Sequence, residues 1–322
     1  MGYLEKAFLE TVKFRELLPE GSRILAAVSG GGDSVALLQL ILSFRDYMGW
    51  DVAVLHIDHR VREESGADAA FVKDMARSLG VGFICRTLES PAGGSLESYF
   101  SIERQRIYEE VSEGNGLVAT GHTADDRAET LVMRLMEGSG LRGLGGMDYS
   151  GRGPVRRPLL DFSRLQLRRY LESSGIKWLE DPTNSSDRFL RNRIRHEVIP
   201  AFEAVSPDSI AAIARSSANL AMWRDLADDL IRHSLDGLMQ GSTFLREVYL
   251  NNHPAIRMGI LWTICGRPRG GRLEFEKTDK WLQVTDGGYH DLPGGVRFVV
   301  EDSRVSVMET PSERERSTFE GT

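Results

Sequence analysis

Ala26-Ala27-Val28-Ser29-Gly30-Gly31-Gly32-Asp33-Ser34-Val35-Ala36-Leu37-Leu38 decides how this chain is read. An apolar run breaks into a serine, three glycines, an aspartate and a serine, then resumes with helical spacing. Glycines let the backbone turn sharply and approach a ligand, and the amides that open the following helix point at whatever sits in the turn, so the pattern reads as a phosphate cradle. It is not a Walker A loop, because no lysine follows the glycines and Asp33 stands where that cation would help neutralise phosphate. A carboxylate facing phosphates implies an intervening divalent cation, Mg2+ being the one that bridges one or two carboxylates to substrate phosphates. The plainer alternative is a tight strand-to-helix turn in which Asp33 and Ser34 are first-turn helix residues.

Outward from the cradle, short apolar segments alternate with longer periodic ones. Arg23 to Val28, Asp51 to Asp58, Gly82 to Leu88 and Gly116 to Thr120 read as strands. Ser34 to Tyr47, Ser65 to Leu79, Leu96 to Ser112 and Ala124 to Glu137 read as helices. The expected fold is α/β, a doubly wound parallel sheet with helices on both faces, followed by a second, smaller, mostly helical carboxyl-terminal domain. Ligands in such sheets lie at the carboxyl ends of the strands. Three polar clusters fall there: the cradle, His56-Ile57-Asp58-His59 and Gly121-His122-Thr123-Ala124-Asp125-Asp126.

The second cluster could hold a metal, bind a nucleoside through Asp58, or form a capped turn. Strand alternation puts His56 and Asp58 on one face and His59 on the other, which favours nucleotide contact over a three-ligand metal site. In the third cluster Asp126 and Glu129 are three residues apart on the opening turns of a helix, hence side by side and suited to gripping an ammonium group. Alternatively these acids only complement the helix dipole. Downstream, Gly138 to Met147 contains five glycines, as expected of a mobile segment closing over a substrate or of a flexible connection between domains.

With 322 residues and 41% hydrophobic content, the chain can bury a substantial core and is expected to form two domains. No apolar run approaches the roughly 18 residues that span a bilayer. The segment Met1 to Phe14 is amphipathic and charged rather than signal-like, so the expectation is a cytoplasmic protein without a membrane partner. Its two cysteines, Cys85 and Cys265, belong to no C-x-x-C pair, which leaves zinc, iron-sulfur and dithiol chemistry without ligands. The net charge of -7 hides an uneven distribution: from Arg152 to His196 there are eleven Arg or Lys against five Asp or Glu. Such a basic stripe is the footprint of phosphate-backbone contact, although a charge run is also often a solvated helix face.

Ser29-Gly30-Gly31-Gly32-Asp33-Ser34 resembles the pyrophosphate (PP) loop of the N-type ATP pyrophosphatases. Within that superfamily, His56 to Arg62, Gly121 to Thr130, the Gly138 to Met147 loop, Arg157-Pro158-Leu159-Leu160, Trp178 to Asn184 and Arg191-Asn192-Arg193-Ile194-Arg195 are similar, in order and spacing, to the tRNA(Ile)-lysidine synthetase family. The resemblance runs from about Gly21 to Pro200. A looser match continues through Ser209 to Ser234 and Asp291 to Phe298, as in the shorter members of the family. It implies a PP-loop ATP pyrophosphatase catalytic domain over 1–205 and a small tRNA-binding domain over 206–308, and the polar, charge-mixed composition of 309–322 reads as a disordered tail.

What the resemblance implies for function is specific. ATP adenylates the C2 oxygen of the wobble cytidine, C34, in a tRNA(Ile) with a CAU anticodon, and free L-lysine then displaces AMP to form lysidine. The implied ATP-binding residues are Ser29, Gly30, Gly31, Gly32, Asp33, Ser34, His56 and Asp58, with Asp33 also holding Mg2+. Asp33, His122 and Asp126 are the implied catalytic residues, and Asp126 with Glu129 the implied lysine site. Arg104, Arg106, Arg142, Arg191 and Arg195 are the implied tRNA contacts. The family pattern Arg-x-x-Arg-Tyr is replaced here by Arg104-Gln105-Arg106-Ile107-Tyr108, so both arginines are carried as candidates. Nothing in the sequence fixes the oligomeric state, a homodimer being one option.

Overall fold

The structure is a computed structural model and describes residues 2–58, 65–88, 96–112, 116–180, 190–266, 271–292 and 294–310. Two compact units divide the chain, Met1–Met222 and Trp223–Thr322.

The first unit begins with α1 (Tyr3–Phe14), β1 (Arg23–Ala27), α2 (Gly32–Met48), β2 (Asp51–Asp58), α3 (Ser65–Ser78), β3 (Gly82–Thr87), α4 (Leu96–Val111) and β4 (Leu117–Thr120). It continues through α5 (Ala124–Met136), α6 (Leu141–Leu144), β5 (Val155–Arg156), α7 (Arg164–Ser173), α8 (Leu190–Arg193), a π-helical turn (Ile194–Val198) and α9 (Ile199–Val205). α10 (Ser209–Leu238) crosses the division.

The five strands form one parallel sheet in the order β3-β2-β1-β4-β5. β1 is central because Ile24-Leu25-Ala26 is buried on both faces, the demand a parallel sheet makes of its inner strands. Ile24 and Ala26 pack into a core built with α1, α2, α3 and α7, whereas Leu25 packs with Ile107 and Val111 of α4 on the opposite face. Along α2, Val35, Leu37, Leu38, Leu40 and Ile41 are fully buried, each stabilising the fold by about 1.5–3 kcal/mol. The helix stops at Gly49, whose φ of 64° is the left-handed cap that glycine adopts without strain. The strand order reverses between β1 and β4, and a crevice opens there at the carboxyl ends.

In the second unit, the remainder of α10 is followed by β6 (Thr243–Leu245), α11 (Arg246–Leu250), α12 (Pro254–Ile264), α13 (Arg272–Val284), β7 (Gly287–Leu292), β8 (Val296–Glu301) and β9 (Arg304–Glu309). Helix outweighs strand, as expected. The unit is nevertheless organised on an antiparallel sheet, β6-β9-β8-β7, that the sequence reading did not anticipate. Its core gathers Phe244, Tyr249, Phe275 and Phe298. β9 runs through Glu309, and the Thr310 N–H donates to Gly295 O at 2.8 Å, so these two positions of the expected disordered tail belong to the sheet. Residues 311–322 lie outside the described residues, as do His59 to Arg62 and Asp181 to Asn184. Among the described residues no helix is long and apolar enough to cross a membrane.

Candidate active site

The Ser29–Ser34 loop leaves β1 and opens α2 at the reversal of strand order. Ser34 Oγ donates to Gly31 O at 2.8 Å and accepts the Ser29 N–H at 3.2 Å, closing the turn on itself. Gly30 has φ +100°, and a Cβ there would sit 2.8 Å from Leu179 Cδ1. The Leu179 N–H in turn donates to Gly30 O at 2.9 Å. A Cβ on Gly121, at the end of β4, would lie 3.1 Å from the Ser34 backbone. Both glycines are therefore required by close approach, and the 17-residue α2 aims its first amides and its positive dipole end into the crevice.

That crevice is a cleft of about 850 Å3. One wall is the glycine loop with Asp33. Others come from Leu55 and Ile57 of β2, Arg104 and Tyr108 of α4, Thr120 to His122 after β4, and Asp126, Arg164 and Arg195.

Its floor is a cage of acids and arginines. Thr123 caps α5, with Asp126 Oδ2 accepting both the Thr123 N–H and Oγ1–H at 2.8 Å. The other oxygen, Asp126 Oδ1, accepts from Arg164 Nη2 at 2.6 Å and Arg191 Nη2 at 3.1 Å. Glu129, one turn on, accepts from Arg164 Nη1 at 2.7 Å, Arg191 Nε at 2.9 Å and Arg195 Nε at 2.8 Å. Arg164 also reaches Asp33 Oδ2 with Nε at 3.3 Å, tying the glycine loop to α5. Ser163 caps α7, and the Arg164 backbone N–H donates to Asp125 Oδ2 at 2.9 Å, which fixes where the guanidinium starts.

The cage polarises its members. Burial, reinforced by Asp126 and Asp125, pushes the Asp33 carboxyl up to about 6 against the pull of Arg164. For Asp126 and Glu129 burial acts upward too, but the arginines outweigh it and hold both below the usual carboxylate range. Burial also lowers His122, helped by Arg157, Arg191 and Arg104, to about 4. Its Nδ1 lies 2.9 Å from Thr120 Oγ1, and the imidazole is neutral at physiological pH.

Several expected residues sit differently. Of β2, Leu55 and Ile57 line the cleft; His56 is buried with Nδ1 2.8 Å from Val28 O, its ring stacked on Phe83. Alternation puts Asp58 on the His56 face, so neither side chain lines the cleft where a nucleoside contact was expected. Arg191 and Arg195, expected on tRNA phosphates, instead turn their guanidinium groups onto Asp126 and Glu129, because α8 and the π turn pack against α5. The two acids, expected to be open to lysine, are thereby covered by arginine. Arg104 lines the cleft, whereas Arg106 is exposed and pairs with Glu103 at 4.0 Å. Arg142 is half-buried on α6. The Gly138 to Met147 segment contains that short helix and is tied down, Leu144 O and Gly145 O accepting from Ser217 Oγ and Met147 O from Arg127.

The residue that sequence reasoning missed is Arg164. Its only local signal is the capping box of Ser163 and Gln166, which announces a helix start and says nothing of what that start faces.

Residues 5–202 match the PP-loop domain family. The tRNA(Ile)-lysidine synthase of Synechococcus sp. is 36% identical over 231 residues, 69% of this chain and 70% of that protein. The synthase of Dehalococcoides mccartyi is 32% identical over 320 residues, covering 90% and 67%. That of an Azoarcus strain is 34% identical over 262 residues, covering 79% and 57%. The chain thus spans from about half to 70% of the length of the curated relatives it matches. Among solved structures, the U34-tRNA thiolase of Methanococcus maripaludis shares the fold, with a TM-score of 0.57 at 19% identity over 68% of this chain and 78% of that one. With the PP-loop family matched over residues 5–202 and relatives of 32–36% identity covered to two thirds or more, the chain belongs to the tRNA(Ile)-lysidine synthase family of PP-loop proteins.

Proposed function

We propose that this protein is a cytoplasmic, ATP-dependent ligase that converts the wobble cytidine of CAU-anticodon tRNA(Ile) to lysidine. The observation that carries this reading is one cleft lined by the glycine loop at the start of α2 and by Asp126, with Glu129 buried next to Asp126 under the same arginines. Those are the two chemistries that adenylation and amine capture require, in a chain of this family.

In the first step the cytidine C2 oxygen attacks the α-phosphorus of ATP and pyrophosphate leaves. The loop amides and the α2 dipole stabilise the charge on the phosphates. In the second, the lysine side-chain amine attacks C2: the C2–N bond forms, the C2–O bond breaks, AMP departs with the oxygen, and the amine loses a proton. Adenylation is needed because a pyrimidine oxygen is a poor leaving group and AMP a good one. Asp126 and Glu129 take a lysine ammonium once arginine yields it. His122, with a pKa near 4, is too weak a base for an amine of ordinary pKa about 10.4, so it serves as a neutral hydrogen-bonding group that orients substrate.

Asp33 fits a magnesium site. Its carboxyl is pushed up by burial and by neighbouring acids, and a cation would relieve both. Magnesium takes few protein ligands and completes its shell with phosphates and water, so one or two carboxylates suffice. When bound it would neutralise charge developing on the phosphates. Arg104 in the cleft and Arg142 on α6 are the remaining candidates for RNA contact, and residues 206–308 for the docking of the tRNA body. Sulfur transfer is disfavoured: the chain has two cysteines, Cys85 exposed on β3 and Cys265 in the core of the second unit, neither beside another thiol.

The test is incorporation of labelled lysine into an unmodified tRNA(Ile) transcript with a CAU anticodon, with ATP and magnesium, against a tRNA(Met) control. Label in the isoleucine transcript alone, with AMP formed in step, is expected. ATP cleavage driven by another acceptor, without lysine incorporation, would replace the substrate and retain the fold.

A further inference from the structure

Resting on that reading, we propose that Arg164 is a positioning residue that makes lysine binding depend on ATP: it shares the acid pair with Arg191 and Arg195 and gives up its place when phosphates compete for its guanidinium.

The geometry assigns this part to Arg164. Its three nitrogens each meet a different carboxylate: Nε to Asp33 of the glycine loop, Nη2 to Asp126 and Nη1 to Glu129. Arg191 and Arg195 meet Asp126 and Glu129 from the α8 side. The Glu129 side chain is only 2% exposed, beneath the guanidinium groups of Arg164, Arg191 and Arg195, and of these three Arg164 is the one that also reaches the glycine loop, through Asp33. An ammonium group needs carboxylate lone pairs that the three arginines now occupy, so at least one arginine must give up its contacts first.

ATP supplies the reason for it to leave. Polyphosphate held at the loop would lie beside Asp33, within reach of the guanidinium that Asp33 already accepts, and phosphate oxygens take a guanidinium fork bidentately. The Arg164 backbone is pinned by its N–H to Asp125 and by the Ser163 cap, so the transfer needs only side-chain rotation. Turned toward phosphate, Arg164 frees its place on Asp126 Oδ1 and on Glu129 Oε1, while Arg191 and Arg195 keep theirs. Lysine then binds a site that ATP has opened, and linkage requires lysine to tighten ATP by the same factor.

Calorimetric titration of free L-lysine onto the full chain tests this, with and without saturating α,β-methylene-ATP and magnesium, since that analogue cannot be cleaved between the α- and β-phosphorus. The wild type should bind lysine about 5- to 150-fold more tightly with the analogue, the usual range of coupling between sites. In Arg164→Gln the ratio should fall to about 1, chiefly because lysine binds better without nucleotide. Arg164→Lys, whose single ammonium cannot fork to three carboxylates, should give an intermediate ratio. Thermal unfolding of both variants is followed in parallel: an arginine of purely structural importance would lower the melting temperature and weaken both ligands without changing the ratio, which would overturn the proposal. A wild-type ratio near 1 would overturn it as well. If wild-type enzyme still lysylates the transcript in that case, only the role of Arg164 falls; if it does not, the functional reading falls and takes this role with it.

Discussion

Two clusters of buried charge, one in each unit, have opposite characters. In the second unit Asp279 accepts from Arg257 Nε at 2.8 Å and Nη2 at 3.0 Å, from Tyr249 Oη at 2.7 Å and from Gln283 Nε2 at 2.9 Å. One acid meets one matched fork, and every oxygen is satisfied. In the first unit three arginines are shared among Asp33, Asp126 and Glu129 at the edge of a cleft, and the acids are driven apart: Asp33 upward, the other two downward. A closed, stoichiometric network serves folding. An open one whose members are left in tension is the arrangement expected where substrate must compete for a partner.

The contrast can be broken most sharply at Asp279. Asp279→Ala strands Arg257 and the Tyr249 hydroxyl and should destabilise the protein by about 3–5 kcal/mol, measured by urea unfolding. Asp33→Ala should do the reverse, with little loss of stability because its charge is already opposed by burial. It should lower pyrophosphate release by about 10²–10³-fold in a single-turnover assay. Wild-type release rates in that variant would remove the metal role from Asp33.

His122 sharpens the comparison through pH. Its folded pKa lies below the unfolded value, so its contribution is fully present above about 6.5 and is lost as pH falls toward about 4. Between pH 7.5 and pH 5 the wild type should therefore lose roughly 1–2 kcal/mol more stability than His122→Asn. Equal losses would mean that the imidazole is not held neutral. The smallest effect expected is at α4, where Arg104→Ala should raise the KM for tRNA about tenfold, one charge-assisted hydrogen bond, and Arg106→Ala less than twofold.

Much of the first unit was legible because its signals are local. A glycine loop between an apolar run and a helical repeat fixes a strand, a turn and a helix, and the β1 to α5 boundaries agree with the spacing to within a residue or two. Contacts between distant segments carry no such signal. Asp33 and Arg164 are 131 positions apart, and nothing in the spacing of either shows that α7 begins against α5. The four-residue spacing of Arg191 and Arg195 correctly put them on one face, but which neighbour that face meets is a matter of packing. For β2 the alternation was read correctly and the face toward the cleft was not, since that depends on which side of the sheet the helices leave open. The antiparallel sheet of the second unit rests on strands of three to six residues, too short for their periodicity to stand out.

The most direct test of the account separates the two half-reactions at Glu129, which, unlike Asp126, takes no part in capping α5. Glu129→Gln is mixed with ATP, magnesium, labelled lysine and the CAU transcript, and pyrophosphate and tRNA-bound lysine are followed in one turnover. Pyrophosphate release within about threefold of wild type, with lysine incorporation reduced at least about a hundredfold, is the predicted result for an acid that serves only amine capture. Equal loss of both, or undiminished incorporation, would contradict the assignment of the α5 acid pair to lysine.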